Sequence, residues 1–193
     1  MLLAALVVFF VLRTFVMEAY RIPSASMEQS LLAGDFLLVN KLRYGAALPF
    51  TSRRLPGVRT PRVDDVIVFS WPVDRSKPFV KRIVGVSGDT LAMHDGQLER
   101  NGTRVNEPWI FRTTPPGNDA RDTWGPVVVP PRHFFVLGDH RDNSLDSRYW
   151  GFVPESLLIG AAWRVYFSVT PDSTSVIPRW DHMRWTRIGT AVK

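Results

Sequence analysis

The residues best suited to chemistry are two serines, one lysine and one dense polar run. Ser24 and Ser26 flank Ala25 directly after a proline, in Arg21-Ile22-Pro23-Ser24-Ala25-Ser26-Met27. Proline fixes its own φ and stiffens the approach to both hydroxyls. A serine hydroxyl is a weak nucleophile until a base within hydrogen-bond reach takes its proton. From this segment alone a plainer reading weighs more: Ser26 followed by Glu28, Gln29 and Leu31-Leu32 has the chemistry of a helix N-cap. Lys81 lies in the apolar run Pro78-Phe79-Val80-Lys81-Arg82-Ile83-Val84-Gly85. Strand alternation sends Lys81 and Arg82 to opposite faces, so one of them takes the more buried side. Of the two, only lysine can lose its proton on burial. The third feature runs from Gly138 to Arg148 and holds Asp139, Asp142 and Asp146 with Arg141, Arg148, Asn143, Ser144 and Ser147. It leads straight into Tyr149-Trp150-Gly151-Phe152-Val153-Pro154, an apolar patch expected to be buried. A polar run tied to buried aromatics must satisfy its own hydrogen bonds, which favours an ion-pair network over a solvated loop.

Other chemistries drop out. There is no cysteine, hence no disulfide, thiol nucleophile or thiolate-held metal. His94, His133, His140 and His182 are scattered, without metal-ligand spacing. No metal and no cofactor is expected. A Ser-His-Asp triad would need His133 or His140 to fold onto a serine, and no G-x-S-x-G elbow supports it. No glycine pattern for dinucleotides or phosphates is present.

The elements that must position these groups read as β. The 193 residues, 45% hydrophobic and 22% charged, suit one sizeable domain or a main domain with a small annex. Short apolar runs at 35–40, 65–71, 79–86, 90–93, 97–100, 132–137 and 161–168 alternate with turn signals such as His94-Asp95-Gly96 and Asn101-Gly102. Residues 43–63, 113–126 and 171–179 read as loops, and only 154–159 suggests a helical turn. The expected fold class is all-β, a sandwich or barrel-like domain. The net charge of +6 is carried almost wholly by arginine, since only Lys41, Lys77, Lys81 and Lys193 are lysines. Its nearest cluster is Arg53, Arg54, Arg59 and Arg62, in a Pro/Gly-containing loop. That reads as a solvated surface, with anionic lipid headgroups an alternative partner. It lacks the single-element clustering of a nucleic-acid footprint, so no nucleic acid is expected.

Residues 1–12 are unbroken apolar sequence, followed by Arg13. Twelve helical residues span roughly 18 Å, short of the ~30 Å hydrocarbon core. A signal peptide would end at Ser24-Ala25-Ser26 but lacks a basic residue before its apolar stretch. A buried core helix would have no wet face. The favoured reading is the distal part of a truncated membrane helix.

Taken in order, Pro23–Met27, the run Gly34-Asp35-Phe36-Leu37-Leu38-Val39, the run Lys81-Arg82-Ile83-Val84-Gly85 with Gly88-Asp89, and Gly138-Asp139 with Arg141-Asp142-Asn143-Ser144 resemble the signature boxes of bacterial type I signal peptidases. The similarity covers about residues 13–164, and Arg187-Ile188-Gly189 is similar to the family's tail. The resemblance implies a mostly antiparallel β fold, an N-terminal transmembrane helix and a Ser–Lys serine protease. Ser26 matches the nucleophile, Lys81 the general base, and Ser24 the hydroxyl that joins the Ser26 N–H in the oxyanion hole. Ser144 matches the serine that orients the lysine. Arg82, Asp139, Asp146 and Arg148 match the supporting ion-pair network. Ile22, Pro23, Met27, Leu31, Phe79 and Val80 match the pockets for small side chains. The sequence departs from the family at Ala25, for the usual Gly, at His140, for the commoner Asn, and at Ser87, where a Pro is common.

The organisation implied is a membrane helix and interface segment over 1–17, a catalytic β domain over 18–88 and 134–193, and a reduced β annex over 89–133. The substrates would be signal peptides of secreted preproteins, cut at small-x-small sites by a monomeric enzyme. It would sit in the bacterial cytoplasmic membrane, its catalytic domain on the extracytoplasmic side. Two alternatives stay open: a related Ser–Lys maturation peptidase of narrow duty, as in conjugation or pilin processing, and a non-catalytic, membrane-tethered β domain that binds peptides. The dyad needs a lysine well below its solvated pKa of ~10.4, and a fall of two to three units costs roughly 3–4 kcal/mol.

Overall fold

The computed structural model describes residues 1–48, 51, 53–117, 121–171 and 182–192. It opens with helix α1, Leu2–Phe15, none of whose residues is buried. Eleven strands follow: β1 Met17–Arg21, β2 Asp35–Asn40, β3 Val66–Ser70, β4 Pro78–Val86, β5 Thr90–His94, β6 Gln97–Arg100, β7 Thr103–Arg104, β8 Trp124–Val128, β9 His133–Leu137, β10 Val153–Pro154 and β11 Leu158–Ser168. A four-residue helix α2, Ser147–Trp150, lies between β9 and β10.

Two antiparallel sheets result. The larger has the order β1-β2-β11-β3-β4-β9-β10 and the smaller β7-β6-β5-β8. Apolar alternation sets the register of β2: Leu37 and Val39 are fully buried while Phe36, Leu38 and Asn40 are half-buried. Strand β4 breaks the alternation, because Lys81 to Gly85 are buried without a gap and both faces of the sheet are covered there. One apolar cluster, with Ile22, Met27, Leu31, Leu37, Val39 and Val68, lies under the segment that carries Ser26. Another joins Val84, Phe135 and Leu137 of the large sheet to Leu91, Met93 and Leu98 of the small one. Each fully buried leucine or phenylalanine in them contributes roughly 1.5–3 kcal/mol.

Several expectations need correction. The 24–31 segment is a run of turns, with Glu28 N–H donating to Ala25 O and Leu31 N–H to Met27 O, so Ser26 caps no helix. The expected turn at 154–159 is a 3-10 turn at Glu155–Leu157 that feeds directly into β11. Helix α2 and strands β1, β7, β8 and β10 were not expected from the runs above. Met17 pairs with Asn40 as the first residue of β1. Among the described residues no helix is long and apolar enough to cross a membrane. At ~1.5 Å per residue, the 14 residues of α1 span about 21 Å. The loop expected at 171–179 lies outside the described residues from 172 onward, as does Lys193.

Candidate active site

Strand β4 presents Lys81 and the turns after β1 present Ser26. Lys81 stands opposite Ile67 on β3 and Arg82 opposite Val66, so the two cations project to opposite faces. Both are buried, Lys81 at 4% exposure and Arg82 at 1%, so the expected contrast between a buried and an open face does not exist. They differ in company. Arg82 donates from Nε and Nη2 to both oxygens of Asp139, at 2.8 and 2.7 Å, and from Nη1 to Asp64 O at 2.8 Å. Its guanidinium also lies over the Trp109 ring, 4.3 Å from the centroid. Lys81 has no ion-pair partner among the described residues. Its Nζ donates to Ser26 Oγ at 2.7 Å and to the main-chain oxygen of Val80 at 3.0 Å.

Burial disfavours the ammonium and pushes Lys81 down from 10.5 to about 8; the more distant Asp146 and Asp139 carboxylates oppose the fall. Those carboxylates are neutralised locally. Asp146 accepts from Arg148 Nε and Nη2, both at 2.8 Å, and from the Gly138 N–H at 3.1 Å. Burial opposes its ionisation, yet the Arg148 hydrogen bonds and charge hold its carboxyl below the usual range. Both acids act on Lys81 through space only, and burial outweighs them.

Ser24 is exposed, with its Oγ 3.5 Å from Ser26 Oγ. The Ser26 N–H meets no acceptor among the described residues, while its carbonyl accepts from the His140 N–H at 3.2 Å. The Ser24 hydroxyl, which donates weakly to Ser26 Oγ, and the Ser26 N–H thus lie on either side of that oxygen. Ala25 avoids the left-handed region, so replacing glycine costs nothing there. Gly138 is required: a Cβ on it would sit 2.2 Å from Ser144 Oγ and 2.5 Å from Ser26 O. The polar run therefore passes directly behind Ser26.

A cleft of about 110 Å³ opens beside the pair. Of the residues expected to form pockets, Ile22, Pro23, Met27, Phe79 and Val80 line it. Leu31 does not, being fully buried in the core beneath. The sequence reading missed Tyr20, Arg21 and Pro78, which line the walls as strand continuations of its own candidates. Ser144 is buried, and its Oγ makes no hydrogen bond to Lys81; the hydroxyl instead helps to hold the Asp146 carboxyl low. Two supports carried no local signal. Ser30 Oγ bridges to Asp139 at 2.5 Å, and Arg187 donates to Asp35 Oδ2 at 2.6 Å and to Ser30 O at 3.1 Å. Two members of the arginine cluster are used internally: Arg59 pairs with Asp65 at 2.5 Å, and Arg54 donates to Leu158 O and Gly45 O.

A buried lysine in hydrogen-bond contact with a serine beside a small apolar cleft has the geometry a serine peptidase needs. Residues 1–167 match the family model described as signal peptidase, peptidase S26. The signal peptidase I of Pseudomonas fluorescens is 33% identical, over 90% of this chain and 72% of its own. The probable signal peptidase I-2 of Synechocystis sp. is 38% identical, over 82% of this chain and 66% of its own. A solved signal peptidase I from Enterococcus faecalis V583 is 29% identical with a TM-score of 0.46, covering 54% of this chain and 98% of that one. The chain belongs to the signal peptidase family, peptidase S26.

Proposed function

We propose that this protein removes signal peptides from exported bacterial preproteins, cutting after small-x-small sequences with Ser26 as nucleophile and Lys81 as general base. The observation that carries the reading is the 2.7 Å contact between Lys81 Nζ and Ser26 Oγ, with the amine 4% exposed and lowered to about 8. The neutral amine takes the Ser26 proton as Oγ attacks the scissile carbonyl. The Ser26 N–H and the Ser24 hydroxyl hold the oxyanion. Lys81, now an ammonium, gives that proton to the departing amine, and its neutral form then activates the water that hydrolyses the acyl-enzyme. The narrow cleft beside Ile22, Met27, Phe79 and Val80 admits short side chains and rejects long ones by clash.

Helix α1 places this chemistry at a lipid surface. Leu2, Leu3, Leu6 and every residue from Val7 to Leu12 are large, apolar and exposed. Such a surface is costly in water and stable in hydrocarbon. The helix enters the bilayer, its last turn lies at the interface, and the catalytic domain stands on the extracytoplasmic face, where the cleavage regions of exported chains emerge. The test is cleavage of a preprotein with an Ala-x-Ala site by the purified chain, with Ser26→Ala and Lys81→Ala as controls. The expected result is one cut after the second small residue and no turnover by either variant. Turnover by Ser26→Ala would refute the assignment.

A further inference from the structure

The joint between α1 and the catalytic domain is thin. No residue of α1 is buried, and the helix passes into β1 through the single residue Val16. Its packing is confined to the end of the helix, where Thr14 and Phe15 are half-buried. The last carbonyls of a helix lack partners within it and carry partial negative charge. Here Val16 N–H satisfies Leu12 O, and the next two carbonyls are met by one side chain from β2's end: Lys41 Nζ donates to Arg13 O at 3.0 Å and to Thr14 O at 3.2 Å. The same ammonium pairs with Glu18 on β1 at 2.8 Å, and the Lys41 N–H donates to Val16 O at 2.9 Å. One half-buried lysine thus ties together the helix end, β1 and β2. Strand β1 leads directly into the turns that carry Ser26.

We infer that Lys41 is a positioning residue: its ammonium locks the end of α1 onto the β1–β2 pair and so sets the height and tilt of the Ser26–Lys81 cleft relative to lipid. This rests on the peptidase reading above. A membrane-inserted substrate presents its cleavage region at a fixed height, so a swinging cleft meets it rarely. A short soluble peptide has no such constraint and reaches the cleft in any orientation. Lys41 lies outside the cleft, so its loss leaves the chemistry itself untouched.

The experiment compares the full chain in phospholipid vesicles with its Lys41→Met and Lys41→Arg variants on two substrates, a short soluble Ala-x-Ala peptide and a membrane-inserted preprotein. For Lys41→Met, kcat/KM on the peptide is expected within about twofold of wild type and kcat/KM on the preprotein at least tenfold lower. Arginine, which can also donate to two carbonyls and a carboxylate, is expected to recover most of that loss. If Lys41→Met loses both activities in parallel, or neither, the positioning role is wrong although the peptidase reading stands. A wild-type chain that cleaves neither substrate refutes the peptidase reading and the inference with it.

Discussion

The acidity of Lys81 can be tested through both rate and stability. Lowering the amine from 10.5 to about 8 corresponds, at ~1.36 kcal/mol per unit, to about 3 kcal/mol. On the rate side, only neutral amine is active. With an apparent pKa near 8, roughly a tenth of the enzyme is competent at pH 7 and a hundredth at pH 6. Acylation-limited kcat/KM on a peptide without titrating groups should rise tenfold per unit and level off above pH ~8. On the stability side, folded and unfolded chains carry the same proton count below pH 8 and again above 10.5. Between these limits the unfolded lysine stays protonated while the folded one is neutral, so stability rises with pH. Lys81→Met removes that dependence. Measured by urea unfolding, the wild type should therefore gain about 3 kcal/mol relative to Lys81→Met between pH 7.5 and 10.5. Tyr20 and Tyr44, both raised chiefly by burial, titrate in both proteins and cancel. A stability difference that does not change with pH, or a rate profile with its midpoint near 10.5, would refute the claim that burial neutralises this amine.

Two further outcomes follow from the surrounding geometry. Ser24→Ala removes one oxyanion donor and should lower kcat by 10²–10³-fold, or ~2.7–4 kcal/mol, with KM little changed, as steady-state kinetics on the peptide would show. Asp139→Asn removes the buried carboxylate that matches the Arg82 charge, although Arg82 keeps its bonds to Asp64 O and Ser30 Oγ, and should cost ~3 kcal/mol by chemical unfolding at neutral pH.

The chemistry was more legible in the sequence than its scaffolding. Lys81 betrays itself as a scarce amine in a β-branched run, and the polar stretch from Gly138 is too rich in charge beside aromatics to be idle. The pairs it forms with distant partners are another matter. Asp35 and Arg187 lie 152 positions apart, and Arg141 meets Glu107 across a segment without periodicity. No local spacing can announce such contacts. Strand β8 hides because Gly125 and Pro126 read as loop, and β1 because Met17-Glu18-Ala19-Tyr20-Arg21 holds two charged residues and no β-branched one. The face argument for Lys81 was incomplete, since Arg82 is buried as well, its charge matched by Asp139 and its N–H groups also taken by Asp64 O and Ser30 Oγ.

The second acceptor of the Lys81 amine is the carbonyl of the residue just before it. That anchor belongs to the polypeptide itself, so no codon change can delete it while the strand persists. Substitutions at Ser144 or His140 therefore leave this acceptor of the Lys81 amine in place.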